Sequence, residues 1–139
     1  MAKATISKKE FEALSQFRYQ LRRFLRFSEQ VTRRHGITPL QYLLLLHVKG
    51  FPDRDWATVG ELAERLQAHH HGVVALISRC EAAGWVSRKQ GKADRRAVEV
   101  HLTANGQRIV ARMAQLHRDE LLSLEGNVLL PQLQDLQEL

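Results

Sequence analysis

Between Trp85 and Arg96 stand Arg88, Lys89, Lys92, Arg95 and Arg96, with Asp94 as the one acid, which leaves +4 over twelve residues. Such a run suits electrostatic contact with closely spaced anions, and the phosphates of a nucleic acid are spaced that way. A second cluster, His69-His70-His71, offers imidazoles. Neighbouring helical residues point about 100° apart, and the i, i+4 spacing of paired helical ligands is missing. The three therefore read as groove contacts or a helix start rather than a metal site. Cys80 stands alone, so neither an intramolecular disulfide nor a Cys-based zinc site is available. On the apolar stripe of a helix it reads as a small inert hydrophobe. The alternative makes Cys80 the sensor of a redox-responsive regulator. No phosphate loop or nucleophile motif occurs, so no enzyme, cofactor or metal is expected.

These residues need elements to hold them. Thr58-Val-Gly-Glu61 is a capping box, and the short helix after it carries Val59, Leu62, Ala63 and Leu66 inward. A turn through Gln67-Ala68-His69 leads to a helix from about His70 to Ala83, stopped at Gly84. On that helix Val73, Leu76, Ile77 and Cys80 form one stripe. His71, Ala75, Ser78 and Ala82 lie opposite, Val74 beside them, and His70 and Arg79 on the flanks. Residues 85–90 then read as a strand, 91–96 as its basic turn, and 97–102 as a second strand, with Val98, Val100 and Leu102 inward and Glu99 and His101 outward. Two helices, a tight turn and a basic hairpin predict a winged helix-turn-helix, with one helix for the major groove and a wing for the adjacent backbone or minor groove. The alternative is a winged helix used as a protein–protein interaction module.

The flanks are helical. Ser7 and Glu10 predict a capped helix running to about His35, with Leu14, Phe17, Leu21, Phe24, Ser28 and Val31 at heptad spacing. A helix of about 28 residues is about 42 Å long, which suggests a dimer seam. Thr38 and Gln41 cap a second helix, whose content of Leu40, Tyr42, Leu43, Leu44, Leu45, Leu46 and Val48 predicts burial on every side. Gly50 to Asp55 reads as a loop. Thr103 caps a helix to about Leu124, with Ile109, Met113, Leu116, Leu121 and Leu122 apolar, and a short final helix spans Val128 to Leu139. The fold expected is mainly α with a small β-wing. Residues 1–36 and 103–139 serve as dimerisation helices and 37–102 as the DNA reader, in one compact domain.

The chain of 139 residues carries a net charge of +6 and a pI near 10.0, which favours an anionic partner. Neither a signal peptide nor a membrane span is evident, so a cytoplasmic location is expected.

Ile37-Thr-Pro-Leu-Gln41, Cys80-Glu-Ala-Ala-Gly-Trp-Val-Ser-Arg88, Asp94-Arg-Arg96 and Val100-His-Leu-Thr-Ala-Asn-Gly106 resemble, in order, the motifs of the multiple-antibiotic-resistance regulator (MarR) family. The resemblance covers nearly the whole chain. It implies a homodimeric transcriptional regulator on palindromic double-stranded operators, often a repressor released by a small lipophilic or phenolic anion. It places Arg96 in the minor groove, Asp94 in a bidentate pair with Arg96, and Arg95 and Lys92 on phosphates. His70, His71, Val74, Ala75 and Ser78 take the reading positions, with Arg79 on their flank. Gly72, Val74 and Ala75 depart from the Ser, Thr and Arg common in relatives, so bidentate base readout is reduced. Arg18, Tyr42 and Trp56 are the candidates to face an effector pocket between dimer scaffold and reader.

Overall fold

Three capping boxes set three of the helix starts. The computed structural model describes residues 5–124; the expected final helix, Val128 to Leu139, lies outside them. Helix α1 (Lys8–Arg34) starts at Ser7, whose hydroxyl takes the Glu10 amide at 3.1 Å while the Glu10 carboxylate takes the Ser7 amide at 3.0 Å. Thr38 with Gln41 opens α2 (Pro39–Lys49), and Thr58 with Glu61 opens α3 (Val59–Leu66), in the same reciprocal way. Each box satisfies amide donors that the helix cannot pair itself. Helix α4 (His70–Ala82) has no side-chain cap. Strands β2 (Val86–Gln90) and β3 (Val98–Leu102) form the wing, and α5 (Ala104–Ser123) closes the described chain.

The sheet holds one strand more than expected. Trp56–Thr58 forms β1, antiparallel to β3, so the order is β1-β3-β2. Three residues are too few to show an alternating pattern, and the partner strand lies some forty residues away. Val98 is the second correction: it is exposed, because the wing leaves the core there. Glu99 and His101 lie on the face opposite Val100, as expected, but are half-buried there. His101 Nε2 lies 2.9 Å from Glu99 Oε1, and its ring stacks on Trp56 at 5.8 Å.

The core lies where α2, α3, α4, α5 and the sheet meet, around Leu44, Leu45, Val48, Leu62, Ile77 and Val100. Helix α2 is its hub but is not buried all round, since Leu40 is 56% exposed and Leu43 36%. Leu121 and Leu122 of α5 are also exposed, while Val110, Met113 and His117 turn inward. Exposed Ile6, Phe11, Leu14, Tyr19 and Leu25 lie on α1 or just before it.

One buried polar joint ties α1, α2 and α5. His117 Nδ1 lies 2.7 Å from the Met113 carbonyl and Nε2 2.8 Å from Ser28 Oγ. A carbonyl can only accept, so Nδ1 donates, and in the neutral ring Nε2 accepts from the Ser28 hydroxyl. Tyr42 stacks on the imidazole at 4.5 Å, with Phe24 and Phe27 edge-on. Burial raises the Tyr42 phenol pKa. Ser28→Ala strands a buried nitrogen and is expected to cost about 1–3 kcal/mol. A urea midpoint equal to that of the exposed-site control Ser15→Ala would refute this joint.

Candidate nucleic-acid interface

Helix α4 presents the face that its periodicity predicts. Val73, Leu76, Ile77 and Cys80 are buried, while His70, His71, Ala75, Ser78 and Arg79 are exposed and Val74 is half-buried. The turn before it suits a tight helix-turn-helix: Gln67 adopts a left-handed conformation with φ 50° and donates from its side chain to the Glu64 carbonyl at 2.8 Å.

The wing is held by its backbone. Gly91 N–H donates to the Ala97 carbonyl at 2.9 Å, and Ala97 N–H to the Asp94 carbonyl at 3.1 Å. The Gln90 side chain adds to this, its Nε2 donating to the Arg95 carbonyl at 2.8 Å. A side chain at Gly91 would collide with the Asp94 carbonyl, so the turn closes only over glycine. Asp94 acts differently from the expected bidentate partner. Its Oδ1 accepts the Arg96 backbone amide at 3.0 Å, and the same oxygen meets Arg96 Nε only at 3.5 Å. One oxygen serving both groups fixes the turn and leaves the guanidinium free: the Arg96 side chain is 93% exposed. Lys92 and Arg95 are exposed as well.

Arg88 links wing to helix, a role the sequence reading did not assign. Its guanidinium donates to Ser78 Oγ and lies 3.7 Å from Glu81 Oε1. An arginine ten residues after an exposed helical serine was the available signal, but the contact needs the strand to fold back on the helix. Ser78, expected as a free reading residue, thus already has a partner. Between α3, α4 and the wing opens a cleft of about 430 Å³, bounded by His70, Val74, Arg88 and Arg96 among others.

The three effector candidates occupy different surroundings. Tyr42 packs on His117 in the core. Trp56 lies on the outer side of the sheet, with the Arg54 guanidinium 4.1 Å from its ring and His101 behind it. Arg18 is exposed on α1. Cys80 is fully buried, and burial pushes its thiol up to about 11, opposed by Arg79. A thiol kept protonated and out of water is a poor target for peroxide, which removes support from the redox alternative.

Arg54 also pairs with Glu61, which caps α3. Burial raises the Glu61 carboxyl, but hydrogen bonds from the Thr58 amide, the Arg54 guanidinium and the Thr58 hydroxyl outweigh it, so the net pKa lies below the usual carboxylate value. A folded pKa below the unfolded one contributes stability above about pH 4.3 that is lost as pH falls through the folded value. The melting temperature of Glu61→Gln should therefore fall less steeply than that of the wild type between about pH 5.5 and pH 3. Parallel curves would refute the linkage.

Among the described residues no helix is long and apolar enough to cross a membrane. Residues 35–97, from the end of α1 to the wing, match the MarR family model. A comparison with curated protein sequences finds no match. Solved structures do match. A MarR family protein from Bacillus stearothermophilus superposes with a TM-score of 0.77 at 21% identity, covering 88% of this chain and 84% of that one. AbsC, a MarR family transcriptional regulator from Streptomyces coelicolor, gives 0.71 at 21% identity over 84% and 78%. The F27L mutant of S. aureus MepR, bound to an oligodeoxyribonucleotide, gives 0.65 at 20% identity over 81% and 80%. The stretch from the end of α1 to the wing thus matches the MarR family model, and the chain shares the fold of MarR family structures.

Proposed function

We propose that this chain is a sequence-specific, double-stranded-DNA-binding transcriptional regulator that acts as a homodimer. The observation that carries the reading is the wing. Lys92, Arg95 and Arg96 stand exposed on a turn pinned by Gly91, Gln90 and Asp94, beside the exposed face of α4. A rigid cationic wing next to an open helix face matches a duplex, where the helix takes the major groove and the wing the adjacent backbone or minor groove. His70, His71, Val74, Ala75 and Arg79 would meet base edges or phosphates. Val74 and Ala75 suit thymine methyls. The DNA-bound MepR relative supports the same partner.

The dimer rests on apolar surface. Phe11, Leu14, Tyr19 and Leu25 of α1 and Leu121 and Leu122 of α5 are exposed in the single chain, and symmetric pairing is the common way to cover such faces. Two recognition helices related by a two-fold axis fit a palindrome with half-sites about one helical turn apart. A repressor released by a small lipophilic or phenolic anion completes the reading. Arg18, Tyr42 and Trp56 remain its candidate contacts, and a ligand that displaces α2 from α1 near Tyr42 would alter the spacing of the two readers.

The test is binding to a genomic fragment from beside the chain's own gene at about 150 mM salt, with excess random DNA, because non-specific affinity is electrostatic. Tight, competitor-resistant binding supports the reading. Weak binding to all fragments of a genomic library would overturn it in favour of a protein-binding winged helix.

A further inference from the structure

The DNA-binding reading uses His70 and His71 as contacts but takes no account of their ability to gain a proton. His69, His70 and His71 are all exposed. The His69 and His71 rings lie nearly parallel, 9° apart in plane with centroids at 6.3 Å. His70 borders the cleft between α4 and the wing together with Arg88 and Arg96. We propose, building on that reading, that duplex binding is linked to proton uptake at His69, His70 and His71, so that affinity rises as pH falls from about 8 to about 6.

The argument is electrostatic. Histidine is the side chain whose charge ordinarily changes between about pH 5 and pH 8. In the free protein the run has cationic neighbours. Arg88 and Arg96 face His70 from the wing. No acid lies in the first turn of α4, so the positive end of the helix dipole stands unopposed there. Protonating His69 and His71 together sets like charges ring against ring. From α3, Glu64 shares a surface hollow with His69 and is the acid that faces the run. Helix α2 packs on the opposite, apolar stripe of α4.

A duplex reverses the balance. It brings about one negative charge per 1.7 Å of its axis, against the face where the three imidazoles and the wing arginines stand. Each imidazole that gains a proton there adds a phosphate-directed cation. The dimer counts each histidine twice. Sequence-blind phosphate contact is enough for the effect, so it does not depend on knowing the operator.

The experiment uses the full chain and a labelled 30-bp duplex of random sequence at fixed ionic strength of about 100 mM. Affinity is measured at pH 8.0 and pH 6.0 for the wild type and for His69→Asn/His70→Asn/His71→Asn. Asparagine keeps a polar donor but does not titrate. The wild type should tighten about tenfold or more, the change that one pKa unit at one group produces. Whatever its affinity at pH 8.0, the triple variant should change less than about twofold between the two pH values. Calorimetry at pH 7 in buffers of different ionisation enthalpy should show proton uptake by the wild type alone. If the triple variant melts early, His70→Asn replaces it and should lose part of the rise. A wild type that binds equally at both pH values overturns the proposal and leaves DNA binding intact. A variant that keeps the full rise overturns it by placing the protons elsewhere. A wild type that binds no duplex at either pH, even at about 50 mM salt, overturns the DNA reading itself and this inference with it.

Discussion

Arg96→Ala is expected to weaken operator binding by about 100-fold or more at about 150 mM salt. A specific arginine contact is worth about 1–3 kcal/mol, and a dimer loses two. The fold should hardly notice. The side chain is 93% exposed, and its one internal contact is a 3.5 Å approach to Asp94, an exposed pair of the kind that adds little stability. The backbone amide that Asp94 holds at 3.0 Å survives the substitution. The melting temperature should thus stay within about 2 °C of the wild type, since surface changes cost about 0.5 kcal/mol or less. The salt dependence separates the mechanisms. Losing two minor-groove cations per dimer, each of which displaces a counterion, should lower the slope of log K against log salt by up to about 1.8. Asp94→Ala makes the complementary case: all the wing cations remain, but the turn loses its hold on residue 96. Weaker binding with the slope unchanged is expected there. An Arg96→Ala protein that binds its operator like the wild type would remove the wing from the interface.

Gly106→Ala is expected to lower stability by about 3 kcal/mol, at the upper end of ordinary overpacking, and the melting temperature by about 10 °C. Gly106 sits in the first turn of α5 against the backbone of the residue that precedes β2. A Cβ there would collide with the Trp85 carbonyl oxygen and stand 3.0 Å from its carbon. Backbone cannot turn aside as a side chain can. The same carbonyl accepts the Thr103 amide at 3.0 Å, while the Thr103 hydroxyl donates to the Gly84 carbonyl at 2.6 Å and takes the Gly106 amide at 3.0 Å. Thr103 and Gly106 thus clamp the start of α5 to the end of α4, and with it the base of the wing. The substitution should weaken DNA binding as well, through a displaced wing. Thermal melts that coincide with the wild type would contradict so close an approach.

Local signals were legible in the chain itself. Ser7, Thr38 and Thr58 with their partners three residues on fixed three helix starts, because a capping box is closed within four residues and needs no tertiary neighbour. The stripe of Val73, Leu76, Ile77 and Cys80 told which side of α4 is buried, since helical period alone decides it. The motifs 37–41, 80–88, 94–96 and 100–106 carried the resemblance to the MarR family, whose model matches residues 35–97. What the tertiary structure decided has the opposite character. Strand β1 exists because β3 lies beside it. Leu40 and Leu43 look like core from composition, yet both stay exposed among the described residues. Asp94 and Arg96 were expected to pair through the guanidinium, but a carboxylate two residues away reaches the backbone amide first. Ser28 was the one polar member of the α1 seam, and nothing in the sequence named His117 as its partner. Eighty-nine residues separate them, and their contact depends on how α1 and α5 pack. Sequence determined what closes within a few turns of chain; contacts across such distances follow from packing, where the position of every backbone enters at once.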